Sequence, residues 1–140
     1  MRLWHKNLIS VLPRQQLQGQ WRECCLIAKE LCKGTLNHLL VNRIKEYPMD
    51  YFYRYGEIVY LEMRRRGYNC NFDNFSIPFP YGLLQLINVT DAELFKGWHN
   101  HRYLKQCFYN LQEKYDCGGI TSEEWAKICE YCEAGEDFEI

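Results

Sequence analysis

Apolar residues recur every three to four positions along most of the chain, which is the spacing of an α-helix. The clearest stretch follows Pro13, a residue favoured in the first turn of a helix, and runs to about residue 32. Its apolar positions are Leu17, Trp21, Cys24, Ala28 and Leu31. A second helix is predicted from Pro48 to Gly67, because glycine is the preferred residue just beyond a helix end.

Two capping-box patterns predict further helix starts in the second half of the chain. Thr90 and Thr121 are each followed three residues later by a glutamate, Glu93 and Glu124. Between them lies an apolar stripe at helical spacing, closed by a pair of glycines; it comprises Tyr103, Leu104, Cys107, Phe108, Leu111 and Tyr115. The sequence therefore predicts an all-α fold: one compact helical bundle over residues 1–140, preceded by a short extended leader at residues 1–6.

Two segments between these helices leave alternatives open. Asn71 to Tyr81 contains Pro78 and Pro80 and predicts an irregular loop, whose Phe and Tyr side chains either wedge into a duplex or cover the core. The sequence His99-Asn100-His101 is either a metal or catalytic site or a polar turn before a helix. No acidic ligand cluster accompanies these histidines, which favours the turn.

Composition narrows the class of protein. A chain of 140 residues, 47% of them hydrophobic, fits one globular domain. It has no apolar run of membrane-spanning length and no cleavable signal pattern, so we expect a protein of the cytoplasm that does not associate with membranes. We expect a monomer.

The eight cysteines are expected to be free thiols in a reducing compartment. Cys129 and Cys132 form one C-x-x-C pair, with Cys107 and Cys117 upstream as possible further zinc ligands. The spacing is irregular and no second tight pair exists. We therefore expect no metal. The C-x-x-C pair is expected to lie on a C-terminal helix and to face the core of the protein.

Charge is distributed unevenly along the chain. The net charge is −1, but residues 1–68 carry +6 and residues 69–140 carry −7. Affinity for phosphates depends on a local basic face rather than on the overall charge. The first half is thus a candidate nucleic-acid surface, and the alternative is an ordinary dipolar protein with a solvated surface.

The helix predicted from residue 13 to residue 32 carries this charge on a particular face. Its basic stripe, which either follows a phosphate backbone or is simply solvated, comprises Arg14, Gln18, Arg22 and Lys29. Gln16, Gln20 and Glu23 form a separate polar strip. The Glu23 carboxylate is therefore not forced into the core.

Two blocks of the sequence resemble the pyrimidine dimer DNA glycosylase family. The first is the hydrophobic segment Leu8 to Leu12, followed by Gln15, Leu17 and the triplet Trp21-Arg22-Glu23. The second is the amphipathic stretch Gly56 to Asn69, which ends in a basic-Gly-aromatic-Asn sequence. The blocks span the first half of the chain, in the family's order and at the family's distance from its start.

The resemblance implies base excision at damaged pyrimidines through an N-terminal α-amine. Such an amine is partly neutral near neutral pH, unlike a lysine, and attacks the sugar carbon to form an imine before the strand breaks by β-elimination. Arg2 disfavours removal of Met1, so the nucleophile would be the Met1 α-amine, with a one-residue gap in the match near Trp4. Glu23 matches the family's essential carboxylate.

The resemblance also implies how DNA is held. Arg2 and Arg22 match arginines in the family's cleft or on its DNA backbone, and Arg22 is a candidate catalytic residue beside Met1 and Glu23. The expected DNA-binding residues are Arg2, Arg14, Gln15, Arg22 and Lys29. The partner would be double-stranded damaged DNA, and the amine chemistry requires no cofactor. The alternative is a non-enzymatic helical module that binds nucleic acid or a protein.

Overall fold

A computed structural model describes residues 1–81 and 88–134, and within these ranges the regular elements are helical. The α-helices are α1 (Arg14–Lys33), α2 (Met49–Arg65), the single turn α3 (Asp73–Ser76), α4 (His101–Asp116) and α5 (Ser122–Ala134). Two 3₁₀ helices, Lys6–Val11 and Asn42–Glu46, precede α1 and α2. The all-α prediction is confirmed, while the single-domain assignment stays a prediction.

Helices α1 and α2 begin and end within two residues of their predicted bounds. Each starts directly after a proline, and each is followed by a glycine in the left-handed conformation, Gly34 with φ 75° and Gly67 with φ 80°. At the end of α2, the Gly67 N–H donates to the Arg64 carbonyl (2.9 Å) and the Tyr68 N–H to the Met63 carbonyl (3.0 Å). These bonds satisfy carbonyls that the helix leaves open.

The two predicted capping boxes have different outcomes. At α5 the box is complete: the Glu124 N–H donates to Thr121 Oγ1 (3.1 Å), and the Thr121 N–H donates to Glu124 Oε1 (3.1 Å). At Thr90 the Glu93 N–H reaches Thr90 Oγ1 (3.3 Å), yet only turns follow, so the helix predicted there is wrong. Phe95 has φ 52° and Gly97 has φ 93°, and neither value permits an α-helix to continue.

The aromatic segment 71–81 covers the core. Phe75 is fully buried and Phe79 nearly so, which resolves the alternative in favour of packing, and the segment contains the helical turn α3 rather than only irregular chain. Phe75 lies directly over Gly56 of α2, where a Cβ atom would stand 2.0 Å from the ring. Gly56 therefore allows α2 to approach α3 closely.

The leader is extended and lies inside the fold. Leu3 is fully buried and Trp4 is 7% exposed, and Met1 packs partly against the same core. The first 3₁₀ helix then contacts the end of α2 through Arg66. This side chain donates to the Leu12 carbonyl (2.7 Å) and to the Glu62 carboxylate (2.7 Å). In the described part of the chain, no helix combines the length and apolarity needed to span a membrane.

Candidate active site

Glu23 lies beside the start of the chain. Its Oε2 atom accepts a hydrogen bond from the backbone N–H of Arg2 (3.4 Å), and the side chain is half-buried at the edge of α1. One residue of extended chain spans at most about 3.6 Å, so the Met1 nitrogen lies within about 7 Å of that oxygen. The structure thus brings Met1, Arg2 and Glu23 to one place.

Gln20 fixes the leader against α1. Its Nε2 donates to the Arg2 carbonyl (2.9 Å), and its Oε1 accepts from the Trp4 N–H (2.8 Å), so one side-chain amide pairs with the leader much as a neighbouring strand would. Gln20 is 1% exposed. Because buried backbone groups need partners, this contact allows an extended segment to enter a helical core.

Two tyrosines hold the other face of the leader. Tyr55 of α2 donates its hydroxyl proton to the Trp4 carbonyl (2.6 Å), and Tyr103 of α4 donates to the Leu3 carbonyl (2.5 Å). Burial raises the pKa of both hydroxyls above the usual tyrosine value, so both remain protonated donors at any physiological pH. Residues from α1, α2 and α4 therefore fix the position of the leader.

A buried pair of histidines lies where the leader enters the first 3₁₀ helix. The Lys6 N–H donates to His99 Nδ1 (3.0 Å) and the Asn7 N–H donates to His5 Nδ1 (3.1 Å), with the two rings 5.1 Å apart. Burial lowers the pKa of His5 to about 4 and that of His99 well below its usual value. Both rings are neutral acceptors. The predicted turn before α4 is confirmed, with Asn100 as the cap of that helix, while the His99 side chain of the turn is 6% exposed and lies in the core.

We expect the free energy of unfolding to fall as the pH decreases from about 6.5 to about 4. In this window the unfolded chain protonates His5 while the folded chain does not; above it both states are neutral, and below it both are charged. The shift corresponds to a loss on the order of 3 kcal/mol. Urea unfolding at a series of pH values measures this loss.

Two variants supply the matched comparison for that experiment. His5→Phe removes the group and should give a shallower pH dependence, because the contribution of His5 is then lost. Gln106→Asn, at an exposed position of α4, removes no titratable group and should keep the wild-type slope. Equal slopes in wild type and His5→Phe would contradict the assignment.

An exposed stripe of α1 with two basic side chains includes Arg22, the residue before Glu23. Gln15, Arg22 and Lys29 are seven residues apart, which is two helical turns, so they form one exposed stripe. The Arg22 guanidinium lies over Gly19, and its Nη2 stands 3.8 Å from the position of a Cβ atom there. The Arg2 guanidinium is 5.4 Å from the ring of Trp4.

Arg14 lies apart from this stripe. Its backbone N–H donates to Glu124 Oε2 (2.8 Å), and its guanidinium lies 5.6 Å from the ring of Tyr68. It lines a separate cleft of about 540 Å³ with Arg65, Arg66 and Lys127. Arg66 is occupied by its contacts to Glu62 and to backbone carbonyls, so its main role is structural.

No cysteine cluster suited to a metal occurs in the described residues. Groups of three or more His, Cys, Asp or Glu side chains around a common point are absent there. Cys107 is buried within α4 whereas Cys117 is exposed beyond its end, so these two do not converge.

Several residues that build the site are not predicted by the sequence pattern. The pattern assigns Gln20 only to a polar strip and does not connect Tyr55, Tyr103 or His99 with the leader. The available signal was the leader itself, since an extended apolar segment within an all-helical protein needs hydrogen-bond partners from side chains.

Comparison with known families shows which family the chain belongs to. The family model of pyrimidine dimer DNA glycosylases matches residues 1–75, which include the leader, α1 and α2. The chain belongs to this family. No curated protein and no solved structure matches the chain. Membership supports, at the level of the family, a DNA glycosylase that acts on damaged DNA containing pyrimidine dimers.

Some residues of the site lie inside the range that the family model matches, and others lie outside it. Glu23, Arg22, Gln20 and Tyr55 lie within the matched residues, whereas Tyr103 and His99 lie beyond them. Part of the support for the leader therefore comes from α4 and the turn before it, outside the region by which the family is recognised.

Proposed function

We propose that this protein excises damaged pyrimidines from double-stranded DNA and then cleaves the strand by β-elimination, through an imine formed by the Met1 α-amine. Glu23 is the essential carboxylate. The observation that carries the proposal is the hydrogen bond from the Arg2 N–H to Glu23, which fixes a carboxylate next to the first residue of a buried leader. A frayed leader would give an amine no defined place for attack.

The first step exchanges one bond at the sugar. The amine lone pair forms a bond to C1′, the bond from C1′ to the base nitrogen breaks, and the base leaves with that electron pair and takes up a proton. The sugar ring then opens as the bond from C1′ to the ring oxygen breaks, which gives the imine and a hydroxyl. The amine gives up two protons in this step, and Glu23 relays them, one to the departing base and one to the ring oxygen.

The second step breaks the strand. Loss of a proton from C2′ leaves its electron pair to form the C1′–C2′ double bond of an enamine. The imine then re-forms as a C2′–C3′ double bond forms and the bond from C3′ to the phosphate oxygen breaks, so the 3′-phosphate leaves with that electron pair. Water then hydrolyses the imine and frees the amine for another turnover. These steps use an amine, a carboxylate and water, so the chemistry itself calls for no cofactor.

DNA would be held by the basic border of the site. The Arg2 N–H contacts Glu23, Arg22 precedes Glu23 in α1, and Lys29 continues the exposed stripe with Gln15. Exposing the sugar carbon requires the duplex to bend or a nucleotide to be extruded, which costs a few kcal/mol and is offset by backbone contacts. Arg14, which faces another cleft, would meet DNA only at a flanking position.

The experiment compares three duplexes that contain a pyrimidine dimer, an abasic site or no lesion. We expect incision of the first two and none of the third. Binding to the dimer duplex should weaken steeply with salt, and Arg22→Ala or Lys29→Ala should each reduce the slope of log K against log salt by about 1, because each phosphate contact contributes about that much.

Lys114→Ala provides the matched control for these cation deletions. Lys114 is exposed in the last turn of α4 and is not among the expected DNA-binding residues. Its removal should leave the slope unchanged. Binding that does not depend on salt, together with no incision of either damaged duplex, would favour the non-enzymatic module that binds a protein.

A further inference from the structure

Gly19 lies in the middle of α1 with no packing reason to be glycine. A Cβ atom added there would meet a single group within 4 Å, the end of the Arg22 side chain at 3.8 Å, which is an ordinary contact. Gly56 of α2 is the opposite case, because a Cβ atom there would overlap the ring of Phe75. The fold therefore requires glycine at position 56 and not at position 19.

Glycine inside a helix has a cost. Apart from proline it is the least favourable residue in a helix interior, since it loses the most conformational freedom on folding. Gly19 is an ordinary helical residue and is not among the glycines with positive φ. Alanine would fit the backbone better, so the reason for glycine at this position lies outside the packing of the protein.

The position of Gly19 indicates where that reason lies. Gly19 is four residues before Glu23 on the same face of α1, which is about 6 Å along the helix axis. Gln20, the next residue, holds the leader that begins at Met1. The Arg22 guanidinium borders the open space over Gly19, and in the described part of the chain it is in no ion pair.

We propose that Gly19 is a substrate-approach residue: its missing side chain leaves an opening beside Glu23 that the sugar–phosphate backbone of the damaged strand occupies, with Arg22 at its edge. The inference rests on the proposed glycosylase function. A strand whose sugar carbon is attacked from the leader must lie close to the α1 backbone, and glycine permits such an approach. Side-chain atoms at position 19 would displace the sugar from Glu23.

The test replaces Gly19 by residues of increasing size that all favour a helix. Gly19→Ala should raise the melting temperature by about 3 °C, because alanine is the better helix former. The same variant should lower kcat/KM on abasic and dimer duplexes by about tenfold, and Gly19→Gln should lower it by about a hundredfold, since a displacement of about 1 Å has effects of this size. Stability and activity should therefore change in opposite directions.

Two controls separate this effect from other causes. Ala126→Gln adds the same side chain to an exposed position of α5 and should leave kcat/KM unchanged. The double variant Gly19→Gln with Arg22→Ala tests whether Gly19 serves only to make room for the guanidinium. If the glutamine still lowers kcat/KM when Arg22 is alanine, the opening for the strand is supported. If the glutamine no longer lowers kcat/KM in that background, the proposal is overturned.

The remaining outcomes distinguish the inference from the function on which it rests. An active wild-type protein with an equally active Gly19→Gln variant overturns the inference alone. A lower melting temperature for Gly19→Ala would show a structural need for glycine and would also overturn it. A wild-type protein that incises neither duplex and is not trapped by borohydride on abasic DNA overturns both proposals.

Discussion

Replacing Glu23 by glutamine is expected to lower the single-turnover rate of incision by about a hundred- to ten-thousand-fold, the usual contribution of a group that transfers protons. Glutamine keeps the size of the side chain, and its Oε1 can still accept the hydrogen bond that Glu23 receives from the Arg2 N–H. The leader should thus stay in place while proton transfer is lost. The dissociation constant for the dimer duplex should change only a few-fold.

Glu30→Gln is the matched control for this substitution. Glu30 lies two helical turns beyond Glu23 on nearly the same face of α1 and is likewise half-buried. Its replacement makes the same change of charge on the same helix and should leave the incision rate within a few-fold of wild type. Equal rates for Glu23→Gln and wild type would remove Glu23 from the chemistry.

Replacing Gln20 by leucine is the prediction with the second largest effect. It leaves the Arg2 carbonyl and the Trp4 N–H without their side-chain partner in a buried place, which should destabilise the protein by about 3 kcal/mol. The first residue would then no longer be fixed beside Glu23. Incision should slow by about a hundredfold even under conditions where the variant is fully folded.

Gln20→Leu is expected to act through the leader, so the experiment must measure how well the leader is held as well as the activity. Hydrogen exchange at the Trp4 amide should accelerate, kcat should fall more than DNA affinity, and Gln20→Glu should give an intermediate loss because it still accepts from the Trp4 N–H. Gln106→Leu, at an exposed position of α4, is the control and should change none of these. A loss of stability with unchanged kcat would limit Gln20 to a structural role.

The sequence was sufficient where local chemistry decides the structure. Pro13 and Gly67 predicted helix ends because their conformational preferences act within a few residues, and the box at Thr121 acts in the same way. The polar strip on α1 placed Glu23 outside the core for a similar reason, but Gln20 of the same strip is 1% exposed, because it pairs with the buried leader. Thr90 shows the limit of prediction from local sequence. Its capping bond forms, but the positive φ of Phe95 prevents a helix from continuing. A buried aromatic residue does not indicate such a conformation in the sequence.

The parts of the site that the sequence did not predict depend on distant contacts. Tyr103 reaches the leader across 100 positions and His99 across 93. A tyrosine on an apolar helical stripe and a histidine before a helix have common structural explanations, so nothing in their spacing connects them with residues 3 and 6. Only the folded chain shows that α4 and the turn before it support the leader.

The most direct test of the account is borohydride trapping on duplex DNA that contains an abasic site, followed by mapping of the adduct by mass spectrometry. Reduction converts the transient imine into a stable bond, and we predict that the linked residue is Met1, through its α-amine. Acetylation of that amine removes the attacking lone pair and should abolish trapping. A covalent adduct on an internal lysine, or trapping that continues unchanged after the terminus is blocked, would contradict the assignment of the nucleophile.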